Sequence, residues 1–209
     1  MSSNSRSVQW LVWGMLGLVI ASITVAHFRE KPRPDPLPVL AGVPEFSLTN
    51  QLGANVTLGA LKGHVWVADL IFTRCAGSCV MMTKHLSAVQ SRLPAGGDVK
   101  LVSVTADPNY DSPEILKKYA EKAGAIPGTW NFLTGPKQDV YQLAIQGLKF
   151  ALVEKEPGKR DYSDDLFIHS TLLMIVDPQG RIRATVEGAE TNAPDMVIQM
   201  VNRVIAEQN

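Results

Sequence analysis

The stretch His64–Phe72, with the sequence HVWVADLIF, constrains the fold of this chain more than any other. Side chains of a strand alternate between the two faces of its sheet. Apart from His64 at the start and Asp69 within it, both alternating sets are apolar, so the strand has to be covered on both sides. Such strands lie in the middle of mostly parallel sheets with helices on their faces. The stretch therefore predicts an α/β fold around a central sheet.

The segments on either side alternate between strand and helix patterns, which supports the same fold class. Phe46–Leu61 reads as a hairpin-like lead-in with Gly53 at its turn, and Glu154–Asp165 reads as a loop. Further strands are predicted at Val99–Thr105, Thr129–Leu133, Ser170–Val176 and Arg181–Val186. Helices are predicted from the cysteines to about Leu93 and at Ser112–Ala123, Lys137–Ile145 and Asp195–Ala206.

An apolar run of 21 residues, Val8–Phe28, precedes this pattern. At about 1.5 Å per residue its helix is about as long as the hydrocarbon core of a bilayer is thick. A cleaved signal peptide is the alternative, but the run is longer than its usual apolar region, so we expect a retained transmembrane anchor. The predicted organisation is a tail at 1–7, the anchor at 8–28, a proline-rich linker at 29–43 and one domain at 44–209.

The net charge of the domain does not indicate nucleic-acid binding. The basic residues on either side of the apolar run argue against export of the domain. The 171 residues from Val39 onward carry 16 basic and 18 acidic side chains, which gives no basic footprint for nucleic acid. Arg29, Lys31 and Arg33 follow the apolar run, whereas only Arg6 precedes it. Taken alone, the positive-inside rule would place the domain in the cytoplasm.

The chain has only two cysteines, Cys75 and Cys79, and both lie where the buried strand gives way to a helix. The start of a helix stabilises a thiolate, which is both a nucleophile and a metal ligand. Two sulfurs at this spacing can close a disulfide or bind one soft cation. Asp69, six residues before Cys75, is expected to be desolvated and suited to proton transfer with a thiol. The alternative is an Asp69 that is hydrogen-bonded to nearby backbone.

Four motifs in order resemble the Sco/SenC family, the copper-binding assembly factors of cytochrome c oxidase. They are FTRCAGSC at 72–79, the strand and helix start at Leu101–Ala120, Trp130–Gly135, and His169–Gly180. The resemblance covers about Pro44–Val204. It implies a thioredoxin-like fold with a central β-sheet flanked by helices. In the family pattern a proline follows each cysteine, whereas this chain has Ala76 and Val80, which predicts a less rigid loop.

The resemblance further implies that His169 joins Cys75 and Cys79 as a third copper ligand, for Cu(I) or Cu(II). The expected function is delivery of copper to the Cu(A) site of cytochrome c oxidase subunit II or a similar copper-accepting protein. The expected location is the inner (cytoplasmic) membrane with the domain on the periplasmic side, against the Lys/Arg count. A thiol–disulfide oxidoreductase is the alternative, with Cys75 attacking, Cys79 resolving and Asp69 moving the proton. Whether the chain is an enzyme stays open at this point.

The remaining candidates receive weaker interpretations. His64 and His85 are expected at the surface or in packing. Met81 and Met82 are expected in the core, although their thioethers are able to bind Cu(I). Asp161, Asp164 and Asp165 precede His169 and are expected to form a solvated loop, with a partner surface as the alternative. A peroxidase or a pure docking module is a third, disfavoured class. Peroxidases of this fold have a threonine three residues before the reactive cysteine in a proline-rich loop, whereas here Thr73 lies two residues before Cys75 and no proline is nearby.

Overall fold

A computed structural model describes residues 4–29, 35–93, 98–160 and 166–208. The chain divides into two compact units, Met1–Pro36 and Leu37–Asn209. The first unit contains α1 (Asn4–Arg29). Within the described ranges, α1 alone is long and apolar enough to cross a membrane, with a mean hydropathy of 1.8 over Val8–Val25. By length and composition the helix is therefore a candidate membrane span.

The second unit is an α/β structure, as the sequence predicts. Its strands are β1 (Ala41–Gly42), β2 (Ser47–Asn50), β3 (Asn55–Thr57), β4 (Val65–Ile71), β5 (Val99–Thr105), β6 (Trp130–Thr134), β7 (Leu152–Glu154), β8 (Phe167–His169), β9 (Leu172–Val176) and β10 (Arg181–Glu187). Its helices are α2 (Leu58–Leu61), α3 (Ser78–Gln90), α4 (Pro113–Lys122), α5 (Lys137–Tyr141) and α6 (Ala193–Ala206). Eight strands form one sheet in the order β1-β10-β9-β4-β5-β6-β2-β3, and β7 pairs with β8 separately.

Strand β4 lies in the middle of the large sheet, and all seven of its residues are buried. It pairs in parallel with β5, from Val65 opposite Val99 to Ile71 opposite Thr105, and antiparallel with β9. Helices α3 and α6 pack against each other and on β4. The apolar residues on both faces of β4 thus explain its central place. Because α3 follows β4 after a short loop, the cysteines lie at the carboxyl end of this strand.

Helix α4, which follows the loop after β5, begins where the sequence predicts. The Ser112 side chain accepts a hydrogen bond from the Ile115 N–H, and Pro113 occupies the first turn of α4. A serine cap and a proline in the first turn both favour a helix start. The helix start determines where the loop 107–112 ends. This loop lies beside the carboxyl ends of β4 and β5.

Two regions differ from the sequence-based expectation. The helix predicted at Lys137–Ile145 is α-helical only to Tyr141 and continues as a π-helix over Gln142–Gly147. The segment before β9 holds a hairpin in which Val153 of β7 lies opposite Ile168 of β8. Both side chains are 57% exposed, so the solvent-facing side of this hairpin is apolar. Its sequence therefore lacks the alternation of apolar and polar residues that marks a half-buried strand.

The segment 37–43 lies on the domain, although it falls within the predicted linker. Strand β1 pairs with β10 at the edge of the sheet, Ala41 opposite Ile182. The Leu40 N–H donates to the Ile182 carbonyl (2.8 Å). The Arg183 guanidinium donates to the Pro38 carbonyl (3.2 Å) and pairs with Glu207 at the end of α6. Residues 30–34 of the predicted linker lie outside the described residues.

Candidate metal centre

The loop between β4 and α3 places the two cysteines at different depths. The Cys75 N–H donates to the Phe72 carbonyl (3.1 Å), which turns the chain away from the sheet. Gly77 occupies the cap position of α3 without a side-chain capping bond, so the first N–H groups of the helix are available to a nearby anion. Cys75 is half-buried, whereas Cys79, in the first turn of α3, is completely buried.

His169 joins the two cysteines from the other side of the site. The ligand atoms of Cys75, Cys79 and His169 all lie within 4.8 Å of one another. Cys79 Sγ is 3.2 Å from His169 Nε2. Among the described residues, no other group of three or more His, Cys, Asp or Glu side chains converges in this way. The structure therefore brings together the three residues that the resemblance implied.

The orientation of the His169 ring is fixed by backbone and by an aromatic neighbour. His169 Nδ1 is 2.9 Å from the Ser170 carbonyl, which only accepts, so Nδ1 carries the hydrogen. The Nε2 lone pair of the neutral ring then faces Cys79 Sγ. The Phe72 ring meets the imidazole edge-on, with centroids 5.7 Å apart. A histidine that binds a metal usually donates its other N–H in this way.

The two thiols have opposite acid–base behaviour. The Cys79 thiol, the His169 ring and the N–H groups of Cys79 and Gly77 lower the pKa of Cys75 to about 4, against the opposing effect of burial. The Cys75 anion and burial raise the pKa of Cys79. The reduced pair therefore shares one proton, held on the buried sulfur. Burial opposes protonation of His169, but the Cys75 thiolate and the Ser170 carbonyl nevertheless raise its pKa.

Asp69 lies behind this site, and its carboxyl group is completely buried. Neither oxygen has a hydrogen-bond partner of good geometry among the described residues, although the Ser103 hydroxyl and the backbone of Asp69 lie close enough to lower its pKa. The alternative of an Asp69 bound to neighbouring backbone therefore stays a prediction. The Ser103 hydroxyl, on the adjacent strand, accepts from Trp130 Nε1 (2.9 Å). Burial raises the pKa of Asp69 to about 7, and the nearby Ser103 and His169 offset only part of this effect. The carboxyl is thus able to change its protonation state near neutral pH.

Asp111 fixes the segment just before the cysteines, a contact that sequence analysis missed. Its carboxylate accepts from the Thr73 N–H (3.2 Å) and the Thr73 hydroxyl. It also accepts from the Thr105 hydroxyl at the end of β5 (2.5 Å). Burial raises the pKa of Asp111, while these donors, all neutral, offset part of the rise. The loop after β5 therefore determines where the loop after β4 begins.

Arg74, directly before Cys75, is held by the same neighbouring loop. Its guanidinium pairs with Asp107 (2.5 Å) and lies over the Tyr110 ring, 4.1 Å from the centroid. Both partners of Arg74 lie in the segment Asp107–Ser112, part of the motif Leu101–Ala120. Loops that follow neighbouring parallel strands meet at one edge of the sheet, and this rule predicts their contact.

The weaker candidates separate in the structure. Met82 is completely buried, as expected, whereas Met81 is 41% exposed, so the expectation of a core position is wrong for Met81. His64 Nδ1 is buried without a hydrogen-bond partner. His85 Nδ1 lies 2.9 Å from the Gly188 carbonyl. Asp161, Asp164 and Asp165 lie outside the described residues.

Comparison with known proteins identifies the family. The family model SCO1/SenC matches residues 37–206. A SCO1 protein homolog of Bacillus subtilis is 37% identical over 161 residues, 76% of this chain and 80% of the relative. A putative copper-binding protein of Stutzerimonas stutzeri is 31% identical over 152 residues, 70% of either chain.

Structural similarity agrees with the sequence matches. The structure of BsSco, described as having a disulfide switch and as a member of the Sco family of cytochrome c oxidase assembly proteins, has a TM-score of 0.68. It shares 34% identity and covers 81% of this chain and 96% of its own. The thioredoxin-like fold that the resemblance implied is thereby confirmed. This chain belongs to the SCO1/SenC family.

Proposed function

We propose that this chain is a membrane-anchored copper metallochaperone that holds copper with Cys75, Cys79 and His169. Its client is the Cu(A) site of cytochrome c oxidase subunit II or a similar copper-accepting protein. One observation carries the proposal. Three donor atoms lie within 4.8 Å of one another, and the Nε2 lone pair of His169 is directed at the cysteines because Nδ1 is bound to the Ser170 carbonyl.

The chemistry of the donors supports copper as the cargo. Two thiolates and an imidazole suit Cu(I) and also accept Cu(II). Zinc sites usually add a fourth ligand, whereas the described residues offer three here. A three-coordinate metal leaves a position for an incoming sulfur. Since Cys75 is half-buried and Cys79 fully buried, we expect the client thiol to displace Cys75 first.

The relatives support the same cargo and kind of client. The Stutzerimonas stutzeri relative is named a putative copper-binding protein. BsSco is placed among the assembly proteins of cytochrome c oxidase. Transfer by ligand exchange would need no change in copper oxidation state. It requires only that the client bind the metal at least as strongly as this site.

We place the domain on the periplasmic side of the inner (cytoplasmic) membrane, anchored by α1. The apolar segment Val8–Val25 supports the anchor, and the client supports the side, because oxidase copper sites are built outside the cytoplasm. The Lys/Arg count around the apolar run opposes this orientation. Fusion of alkaline phosphatase to Asn209 is expected to give active enzyme in a bacterial host; an inactive fusion would reverse the orientation.

A titration of the reduced full-length protein in detergent tests the site. Cu(I) is added under anaerobic conditions in competition with a chromogenic chelator, for wild type, His169→Ala, Cys79→Ala and a His64→Ala control. One tight equivalent is expected for wild type and the control. We expect Cys79→Ala to abolish tight binding. His169→Ala should weaken it at least about tenfold, about 1.4 kcal/mol, and Cu(II) more than Cu(I). Equal affinities for wild type and Cys79→Ala would refute the site.

The asymmetry of the cysteines favours a second candidate, a thiol–disulfide oxidoreductase. Cys75 is accessible and its pKa is lowered to about 4, as for an attacking thiolate. Cys79 is buried directly behind it, as for a resolving thiol, and the buried Asp69, whose pKa is raised to about 7, is a candidate proton acceptor. Reduction of a client disulfide that depends on both cysteines, without competitive Cu(I) binding, would favour this role over the first.

A further inference from the structure

Helix α3 carries a second pair of metal-binding side chains on its outer surface, Met81 and His85. Met81 is 41% exposed, in contrast to its neighbour Met82, which is completely buried. A methionine in the core fills space, but an exposed thioether is accessible to a soft metal ion. Met81 therefore differs from Met82 in what it is able to bind.

His85 is oriented in the same way as His169. Its Nδ1 lies 2.9 Å from the Gly188 carbonyl, which only accepts, so Nδ1 carries the hydrogen. Nε2 then keeps its lone pair, and it makes no hydrogen bond within the described residues. A ring fixed by one nitrogen and open at the other is typical of a metal-binding histidine.

The spacing of the two residues brings their side chains together. Residues four apart on a helix lie on one face, with their Cβ atoms about 6 Å apart. Helical side chains in general lean toward the N-terminus of their helix, a direction that takes a side chain at position 85 toward position 81 and one at position 81 toward the turn that contains Cys79. The loop that orients His85 also adjoins His169, because the Gly188 N–H donates to the Thr171 carbonyl (2.8 Å).

We propose that Met81 and His85 form a second Cu(I) site, weaker than the cysteine centre, that holds the metal before it reaches Cys75, Cys79 and His169. The role as an entry site rests on the proposed function. A thioether and an imidazole suit Cu(I) but lack the thiolates that bind it most strongly, so the metal moves toward the cysteines. In that step the bonds to Met81 sulfur and His85 nitrogen break as bonds to the two cysteine sulfurs form. Copper stays Cu(I), and the thiol proton goes to water.

The site is tested in a background that lacks the main centre, with Cys75→Ser, Cys79→Ser and His169→Ala combined in the full-length protein in detergent. Cu(I) is added anaerobically while the methionine methyl groups, labelled with carbon-13, are observed by NMR. One methyl signal, assigned by Met81→Leu, is expected to shift with saturation at one equivalent. Met81→Leu or His85→Gln should weaken this binding at least tenfold. Met196→Leu is the matched control, since Met196 is 38% exposed on α6, and should change nothing.

Two results would overturn the proposal. One is a Met81 signal that does not move at Cu(I) concentrations that shift other exposed methionines. The other is a His85→Gln variant that binds Cu(I) as tightly as the protein in which only the main centre is removed. Its otherwise unchanged NMR spectrum would show that this variant is folded. Because the main centre is absent from this background, either failure is independent of the chelator titration. Loss of tight binding by the intact protein would instead refute the proposed function.

Discussion

Two carboxyl groups of the same sheet are both completely buried, yet they behave in opposite ways. Asp69 lies on β4 below the cysteines, and Asp177 lies in the turn between β9 and β10. Burial raises the pKa of Asp69 to about 7. At Asp177, burial acts in the same direction, but bonds from Arg181 and Arg183 lower the pKa below its usual value. Burial alone therefore does not determine the charge of a carboxyl group.

The difference lies in the partners. Asp177 accepts from the N–H groups of Gln179 (3.1 Å) and Arg181 (2.9 Å). It also accepts from Arg181 Nε (2.8 Å) and from the buried Arg183 (3.2 Å). Asp69 has no such set of donors: among the described residues its oxygens make no hydrogen bond of good geometry, and the nearby Ser103 hydroxyl and its own backbone lower its pKa only in part. A fully paired carboxylate stabilises one structure, whereas a buried carboxyl without charged donors is costly to keep charged. We infer that the turn has a structural role and that Asp69 has a chemical one.

The same substitution, Asp→Asn, tests the comparison at four positions, and Asp177→Asn is expected to have the largest effect. It leaves the buried Arg183 without its charged partner in the turn, and breaking a buried ion pair costs about 3–5 kcal/mol. The measurement is the free energy of unfolding in urea of the fragment 37–209 at neutral pH. Arg183 also pairs with Glu207, so a loss below about 1 kcal/mol would show that Glu207 suffices and that Asp177 is not required.

Asp69→Asn is expected to change the pH dependence of stability rather than stability at one pH. Between about pH 4 and pH 7 the unfolded chain has released this proton and the folded chain keeps it. The free energy of unfolding therefore falls as the pH rises, by about 1.4 kcal/mol per unit from this group, or about 4 kcal/mol over the three units. Asn removes that slope.

Urea unfolding of wild type and Asp69→Asn across this pH range measures the difference between the two slopes. Asp177 is expected to act in the opposite direction, since its lowered pKa adds stability that is lost as the pH falls below about 4. Parallel curves for wild type and Asp69→Asn would show that Asp69 is charged throughout, and the contrast between the two carboxyls would then disappear.

Asp111→Asn tests an intermediate case, a buried carboxyl whose partners are neutral. Asn retains one oxygen for the donors from Thr73 and Thr105 but loses the charge-assisted part of these bonds, about 1–2 kcal/mol. Because Thr73 precedes Cys75 by two residues, the thiolate should also change its reactivity. Alkylation rates of Cys75 measured against pH are the readout. Thr83→Val, which removes the Thr83–Tyr119 hydroxyl pair (2.8 Å), is the control that should lower stability without changing those rates.

Asp195→Asn is expected to have the smallest effect. Asp195 pairs with Arg92 at 2.7 Å, but its side chain is 75% exposed, so solvent already screens the charges. The free energy of unfolding should change by less than about 0.5 kcal/mol, and still less in high salt. A loss as large as that of Asp177→Asn would mean that the exposed pair matters as much as the buried one.

The sequence predicted the centre of the fold well because the signals there are local. Strand β5 begins and ends where predicted, at Val99 and Thr105. The β7–β8 hairpin was missed, because its strands are short and Val153 and Ile168 present apolar side chains to solvent. The π-helical turn after Tyr141 has no evident signature in the local sequence.

The candidate site was predicted unevenly for the same reason. The cysteines are four residues apart, so their neighbourhood was evident from the chain itself. His169 is 90 residues beyond Cys79, and only the family resemblance connected it with them. The contact of Thr73 with Asp111 spans 38 residues. It depends on β4 and β5 being neighbours in the sheet, and this pairing was not used to predict the contact.

If α1 anchors the domain to a membrane, as we propose, strand β1 has a mechanical consequence. Within the second unit, the segment 37–43 enters the sheet at its outermost strand, β1, and β10 and β9 lie between that strand and β4. A pull transmitted through the linker would first strain the contacts of Leu37 and Pro38 with Arg183 and Glu207, and next peel β1 from β10. A force applied at Leu37 would therefore be resisted first at this edge, before it reaches β4, the strand that leads to the cysteines.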